Sequence, residues 1–241
     1  MKYVELCDTP VELSRSDKSG HSCVVIDILR ATTTIQAALG AGASSVWACG
    51  DLETARNLKT KEPCLILAGE RGGIRPEGFD LGNSPLEFTP EVVAGKTLVL
   101  TTTNGTRALG ACLGAKRVFT GCFTNARAIL GQIVSDGSPC YLGCAGHEGT
   151  PSGEDRLFAG FLASELARSG FRLGGKAMLA AEEWMANLHL PLEDRLFGCH
   201  HGQALCQLGF ASDVRFAAQW DTSARVARFT LALDQNIWVG I

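Results

Sequence analysis

The chain has 241 residues, of which 46% are hydrophobic and 20% are charged, and its formal net charge is −3. These values are typical of an ordinary globular protein, and they exclude a disordered chain and a basic nucleic-acid-binding surface. No run approaches the roughly 20 apolar residues that a membrane span requires, and the amino terminus lacks a signal-peptide pattern. We therefore expect a cytoplasmic protein without nucleic-acid or membrane partners; self-association into a homo-oligomer stays open.

Short apolar strands and helices alternate along the chain without a linker, so residues 1–241 are predicted to form a single unit. Continuous apolar runs are typical of strands that are buried on both faces of a parallel sheet, which predicts an α/β fold. The predicted strands are residues 1–13, 24–29, 45–48, 64–68, 97–100, 117–120, 140–145, 228–233 and 237–239. The predicted helices are residues 34–39, 51–59, 108–115, 124–134, 156–169 and 198–208, with one or two more after residue 176.

Residues 24–34 combine a strand, a polar turn and a helix start. The apolar run is interrupted by Asp27, a carboxylate that is costly to bury without a partner, which favours a functional role. Thr33 and Gln36 have the spacing of a capping box. Because the turn joins the carboxyl end of a strand to the start of a helix, its amide groups are predicted to bind an anion.

A second copy of this pattern occupies residues 96–134 and matches residues 23–60 in order. Each copy contains an apolar strand, a threonine-rich turn and a helix. We interpret the match as an internal duplication; the alternative is a chance similarity between two βαβ units. If the two turns face one another, they share a single anion between them.

Charged side chains follow several of the predicted strands. They are Asp27 and Arg30, Glu70 and Arg71, and Glu154 and Asp155. Carboxylates that are gathered in one cleft repel each other, and a hard cation such as Mg²⁺, which binds oxygen ligands and phosphate, is the usual reason to collect them. Arginines in the same cleft bind phosphate or carboxylate oxygens, so the combination predicts phosphoryl chemistry.

Several of these residues also have a purely structural interpretation. The threonines are good helix caps, Ser152 and Asp155 have capping-box spacing, and His147 fits a loop histidine as well as a general acid. Arg71 and Arg75 could form surface ion pairs. The ten cysteines include no pair that is separated by two residues, and a zinc site at residues 199–201 is disfavoured because adjacent histidines on a helix diverge by about 100°.

Four segments, residues 25–34, 69–73, 78–85 and 100–107, together resemble the 2-phosphosulfolactate phosphatases, the ComB family. The resemblance spans nearly the whole chain. It departs from the family pattern at residues 227–241 and at Gly153, where we expect a larger residue.

The resemblance implies a Mg²⁺-dependent hydrolase that converts 2-phosphosulfolactate into sulfolactate and phosphate, a step of coenzyme M synthesis. It also implies a three-layer α/β/α sandwich with a largely parallel or mixed sheet and duplicated, intertwined halves. Relatives occur in organisms without an evident need for coenzyme M, so another phosphorylated hydroxy acid stays open as the substrate.

The pattern of charged and hydroxyl residues and the family resemblance together predict the roles of individual residues. The predicted catalytic residues are Asp27, Arg30, Glu70 and Arg107, and the predicted metal ligands are Asp27, Glu154 and Asp155. The predicted phosphate- or substrate-binding residues are Thr32, Thr33, Thr34, Arg71, Arg75, Thr102, Thr103, Asn104, Gly105 and Thr106.

Two alternatives remain at this stage. Asp27 could act as a nucleophile that forms an aspartyl phosphate, but the second acid of that pattern is replaced by Leu29, so we favour attack by water. The other alternative is a non-catalytic anion- or nucleotide-binding sensor, which needs no metal.

Overall fold

The structure is a computed structural model, and it describes residues 2–232 and 237–241. Within these residues, ten strands form one mixed sheet with helices on both faces. The strands are β1 (Tyr3–Cys7), β2 (Ser22–Ile26), β3 (Ser45–Ala48), β4 (Ile66–Gly69), β5 (Thr97–Thr101), β6 (Arg117–Gly121), β7 (Cys140–Cys144), β8 (Arg172–Leu173), β9 (Arg228–Ala232) and β10 (Ile237–Gly240). The predicted α/β fold with a mixed sheet is confirmed.

The helices follow the strands in near alternation. They are α1 (Pro10–Arg15), α2 (Ala31–Gly40), α3 (Leu52–Lys61), α4 (Pro90–Val93), α5 (Gly105–Ala111), α6 (Ala126–Asp136), α7 (Gly153–Arg168), α8 (Gly175–Ala186), α9 (Leu192–Gly198), α10 (His200–Gln207) and α11 (Ala211–Ala217). In the described residues, every helix is too short or too polar to cross a membrane.

The three layers follow from the alternation of side chains along the strands. On β2, Val24 and Ile26 pack in one core cluster with α7, whereas Cys23 and Val25 pack in another with α2. Because successive side chains of a strand point to opposite faces, one apolar run serves both cores.

The strand order is β4-β5-β3-β10-β9-β6-β2-β7-β1-β8. The strands on either side of β9 and β10 pair in parallel, and the antiparallel β9–β10 pair joins the two blocks between β6 and β3. The two matching segments of the sequence are therefore interleaved, since β2 pairs with β6 and β3 pairs with β5. That they arose by duplication stays a prediction.

The sheet curls strongly. β2 and β5 are five places apart in the strand order, and a flat sheet would separate them by about 24 Å at roughly 4.8 Å per strand. Instead, a Cβ atom placed on Gly105, just after β5, would lie only 2.9 Å from Oδ2 of Asp27, just after β2. The curl therefore brings the two threonine-rich turns together.

Some predicted boundaries are wrong for identifiable reasons. The first strand ends at Cys7 instead of residue 13, because Thr9 caps α1. The strand predicted to residue 29 ends at Ile26, because the Ile28 amide leaves the sheet and donates to Asp155. Residues 24–29 are thus a strand and an extended turn.

Two predicted helix caps are also wrong. The capping box at residues 33–36 is absent because α2 begins at Ala31, and Thr33 donates its hydroxyl to the Ile28 carbonyl. Residue 124 lies in the 3-10 turn Phe123–Asn125, and Asn125 is the residue before α6. The Asp51 cap of α3 is confirmed by its hydrogen bond with the Thr54 amide. Residue 233, the end of a predicted strand, lies outside the described residues.

Close packing of α7 on α8 gives a stability prediction. A Cβ atom on Gly160 would lie 2.3 Å from the Ala180 carbonyl oxygen, a backbone atom that has little room to yield. We expect Gly160→Ala to lower the free energy of unfolding by roughly 2 kcal/mol, as measured by urea denaturation. Gly131→Ala on α6 is the matched control, because no heavy atom lies within 4 Å of its Cβ position, and it should stabilise by about 0.5–1 kcal/mol. Equal effects of the two variants would contradict the packing argument.

Candidate active site

A pocket of about 310 Å³ opens at the carboxyl ends of β2, β4 and β5, and α10 closes one side of it. It lies where ligands bind in open α/β sheets. Its polar wall contains Asp27, Arg30, Glu70, Asn83, Thr102, Thr103, Asn104, His147, Glu148 and His201. Its apolar wall contains Leu29, Ala204, Leu205 and Leu208.

Asp27 is fixed by the turn that follows it. Its carboxylate accepts the Ala31 amide at 3.2 Å, and its carbonyl accepts the Thr32 amide at 2.9 Å. These first amides of α2, which the sequence predicts to bind an anion, thus hold the aspartate instead. Burial, together with the charges of Glu70 and Glu154, raises the pKa of Asp27 to about 6, although His201 and the Ala31 amide favour its charged form.

Glu70 connects the two loops that flank the pocket. Its Oε1 accepts the Thr103 amide at 2.7 Å, and its Oε2 accepts the Gly73 amide at 2.9 Å. Both oxygens are thus used to hold the loop after β4 against the turn after β5. Glu70, a predicted catalytic residue, lines the pocket, and its contacts are those of a positioning residue.

Glu154 and Asp155, two predicted metal ligands, are buried in the first turn of α7 and do not line the pocket. Asp155 accepts the Ile28 amide at 2.9 Å and the Gly146 amide at 3.1 Å, which ties the ends of β2 and β7 together. Burial and the charges of Glu154 and Asp27 raise the pKa of Asp155 well above its usual value. Asp155 does not form the predicted capping box.

Arg30 lies on the pocket wall, but its charge is already paired. The guanidinium donates to Asp213 at 2.7 Å and to the Gly73 carbonyl at 2.6 Å, and it stacks on Phe210 at 4.3 Å from the ring centroid. Asp213 also accepts the Ser84 hydroxyl at 2.6 Å. Helix α11 thus holds the predicted catalytic arginine and the loop around Ser84 in place.

The other predicted cations lie outside the pocket. Arg107 and Arg75 are exposed, and Arg75 donates to the Asp80 carbonyl. The guanidinium of Arg71 donates hydrogen bonds to the Thr101 hydroxyl and to the carbonyls of Glu70 and Gly50. The catalytic role predicted for Arg107 and the substrate-binding roles predicted for Arg71 and Arg75 therefore have no support from their placement.

The predicted threonines divide into two groups. Thr102, Thr103 and Asn104 line the pocket. The hydroxyls of the others donate to backbone carbonyls: Thr32 to Asp27, Thr33 to Ile28, Thr34 to Asn83 and Thr106 to Thr102. This second group stabilises the turns instead of facing the pocket, while Gly105 allows the close approach of Asp27.

Sequence reasoning left His147 open as a loop histidine or a general acid, and it considered His201 only for a disfavoured zinc site. His201 Nδ1 lies 3.1 Å from Glu154 Oε1, and its ring stacks on His147 with centroids 4.5 Å apart. Burial and His201 lower the pKa of His147. His147 follows β7 as Asp27 follows β2, and this position after a strand indicates a place at the same edge of the sheet. No local sequence pattern connects residues 154 and 201.

Three buried side-chain atoms on the pocket wall have no hydrogen-bond partner: Asn83 Oδ1, Thr102 Oγ1 and His147 Nδ1. Buried polar atoms are rarely left without a partner, and a molecule or ion bound in the pocket could supply one. In the part of the chain that the structure describes, no group of three His, Cys, Asp or Glu side chains is arranged to hold a metal ion.

Comparisons with known proteins show the family of the chain. The family model described as 2-phosphosulpholactate phosphatase matches residues 7–231. A probable 2-phosphosulfolactate phosphatase of Pseudothermotoga lettingae is 37% identical over 87% of this chain and 89% of its own length. Proteins with the same description from Carboxydothermus hydrogenoformans and Prochlorococcus marinus are 40% and 41% identical, over 81% and 83% of this chain and 81% and 85% of their own lengths.

The buried Arg30–Asp213 pair gives a second stability prediction. The two side chains are only 3% and 2% exposed. Asp213→Asn leaves the arginine charge buried without its counter-charge, so we expect the free energy of unfolding to fall by roughly 3 kcal/mol. The matched control is Glu165→Gln, which removes the carboxylate of the exposed Glu165–Arg168 pair and should change stability by less than about 0.5 kcal/mol. Similar losses in the two variants would refute the role given to Asp213.

Proposed function

We propose that the chain, which belongs to the 2-phosphosulpholactate phosphatase family, hydrolyses a phosphate monoester of a small acidic hydroxy acid in this pocket. 2-Phosphosulfolactate, cleaved to sulfolactate and phosphate as in coenzyme M synthesis, is the first candidate substrate. The observation that carries the proposal is the buried Asp27 carboxylate beside the unpartnered oxygen atoms of Asn83 and Thr102.

The charge of the pocket supports a requirement for a cation. Asp27, Glu70 and Glu148 line it, and Arg30, the one arginine among its described lining residues, is paired with Asp213. A phosphate dianion would be repelled by this wall, because Coulomb interactions are strong in a partly buried cleft. A site that only bound anions would gain nothing from these acids, which disfavours the sensor alternative.

The residues fit Mg²⁺. This ion prefers oxygen ligands and usually takes one or two carboxylates together with water and substrate phosphate, so a cluster of three acidic side chains is not required. We propose that Asp27 holds it, and Asn83 and Thr102 line the same pocket. Glu154 and Asp155, predicted as ligands, do not line the pocket, and the charge of Glu154 adds to the effect of burial on the pKa of Asp27. When bound, the ion would supply positive charge against the phosphoryl oxygens and favour deprotonation of the attacking water.

The remaining wall residues orient the substrate. Glu70 fixes the Thr103 and Gly73 backbone, so the turn after β5 has a defined shape when the phosphate arrives. Arg30 presents one edge of a guanidinium whose position is set by Asp213 and Phe210. We favour water over Asp27 as the nucleophile, because residue 29, where the aspartyl-phosphatase pattern has its second acid, is a leucine on the apolar wall.

An assay tests the proposed function directly. We expect phosphate release from racemic 2-phosphosulfolactate that requires Mg²⁺ and is abolished by EDTA. Phospholactate and phosphoglycerate form a comparison panel, and their ranking identifies the acidic group that the pocket prefers. Binding of these esters without any hydrolysis, at all Mg²⁺ concentrations, would favour the sensor alternative instead.

Asp27→Asn is the decisive variant. Because this carboxylate is proposed to hold Mg²⁺ beside the phosphate, we expect kcat to fall at least about 100-fold with the fold unchanged by circular dichroism. Asp194→Asn, at an exposed position outside the pocket, should retain full activity. A loss smaller than about tenfold would refute the role of Asp27. Labelled phosphate trapped on Asp27 would show an aspartyl phosphate instead of attack by water.

A further inference from the structure

A second cavity lies between α7, α8 and α9 and has a volume of about 480 Å³. It shares no lining residue with the candidate active site. Its wall is largely apolar, with Leu157, Ala180, Trp184 and Leu190, and it includes two arginines, Arg156 and Arg195. The proposed function leaves this space unexplained.

The two arginines differ in their partners. Arg156 donates to Asp8 at 2.7 Å and to Glu183 at 3.0 Å, so its charge is balanced. The guanidinium of Arg195 lies 4.3 Å from the centroid of the Trp184 ring and, within the described residues, forms neither an ion pair nor a hydrogen bond. Burial lowers the pKa of Arg195, as expected for a cation that lacks a counter-charge.

The surrounding groups do not balance this charge. Burial, with the nearby Glu154 and Asp155, raises the pKa of Cys199 to about 12, so this lining thiol stays neutral. On α9, Glu193 is paired with Arg215 at 3.4 Å. Within the described residues, Arg195 is therefore a lining cation without a paired carboxylate, unlike Arg156, which is paired with Asp8 and Glu183.

We propose that this cavity binds a small organic acid whose carboxylate pairs with Arg195 and whose apolar body lies against Trp184, Leu157 and Leu190. A guanidinium matches a carboxylate through two parallel hydrogen bonds, and the aromatic face already orients it. Pockets that bind small molecules combine such an apolar lining with a few polar groups that fix orientation. The site is separate from the phosphatase pocket and does not depend on the proposed function.

Calorimetric titration of the intact chain with benzoate tests the proposal, with benzamide as a neutral analogue and inorganic phosphate as an anion without an apolar body. We expect benzoate to bind one site, and benzamide and phosphate to bind at least about tenfold more weakly. Arg195→Gln should weaken benzoate binding by a similar factor. Arg215→Gln is the matched control, since this arginine also stacks on an aromatic ring, Phe197, but lies outside the cavity.

A second pair of variants avoids changes to the Trp184 contact. Leu190 lines the cavity and Leu188 does not, although both are exposed. Leu190→Asp should weaken benzoate binding by charge repulsion, whereas Leu188→Asp should not. Equal binding of benzoate and benzamide, phosphate binding as tight as that of benzoate, benzoate binding that survives both Arg195→Gln and Leu190→Asp, or no benzoate binding would each overturn the proposal.

Discussion

The site depends on the close approach of Asp27 to Gly105. A Cβ atom at residue 105 would lie 2.6 Å from the Ala31 side chain and 2.9 Å from the Asp27 carboxylate, so only glycine lets the two turns meet. This contact joins the ends of two strands that are five places apart, and it exists because the sheet curls. The pocket lies along this contact, and Glu70 and α11 position its other walls.

Charge is the second organising constraint. Four carboxylates, those of Asp27, Glu70, Glu154 and Asp155, are buried near one another. Protein contacts stabilise each of them, through backbone amides for Asp27, Glu70 and Asp155 and through His201 for Glu154. Burial, together with repulsion from Glu70 and Glu154, nevertheless raises the pKa of Asp27, and the lining Arg30 is already paired with Asp213. A cation would relieve this repulsion and admit a phosphate, which is the physical reason for proposing Mg²⁺.

Local patterns predicted the elements well where one short segment carries the whole signal. The Asp51 cap and the apolar strands are of this kind, because propensity and hydrogen bonding act within a few residues. Hydroxyl and guanidinium groups were less predictable. The hydroxyls of Thr32, Thr33 and Thr34 donate to backbone carbonyls, and Arg71 donates to the Glu70 carbonyl. Such donors form hydrogen bonds with any carbonyl that the fold brings near, so the residue type alone does not show whether they bind a ligand.

By itself, the sequence determined the α/β class, the strand-turn-helix units, the position of Asp27 at a strand end and, through long motifs, the family. These properties follow from the periodicity of apolar residues and from motifs of contiguous residues. Only the tertiary structure decided which strand ends meet, that Arg30 is balanced by Asp213, that Glu154 contacts His201, and that Arg75 and Arg107 face away from the pocket. Those outcomes depend on the curl of the sheet and on contacts between residues far apart in the chain, which no local pattern encodes.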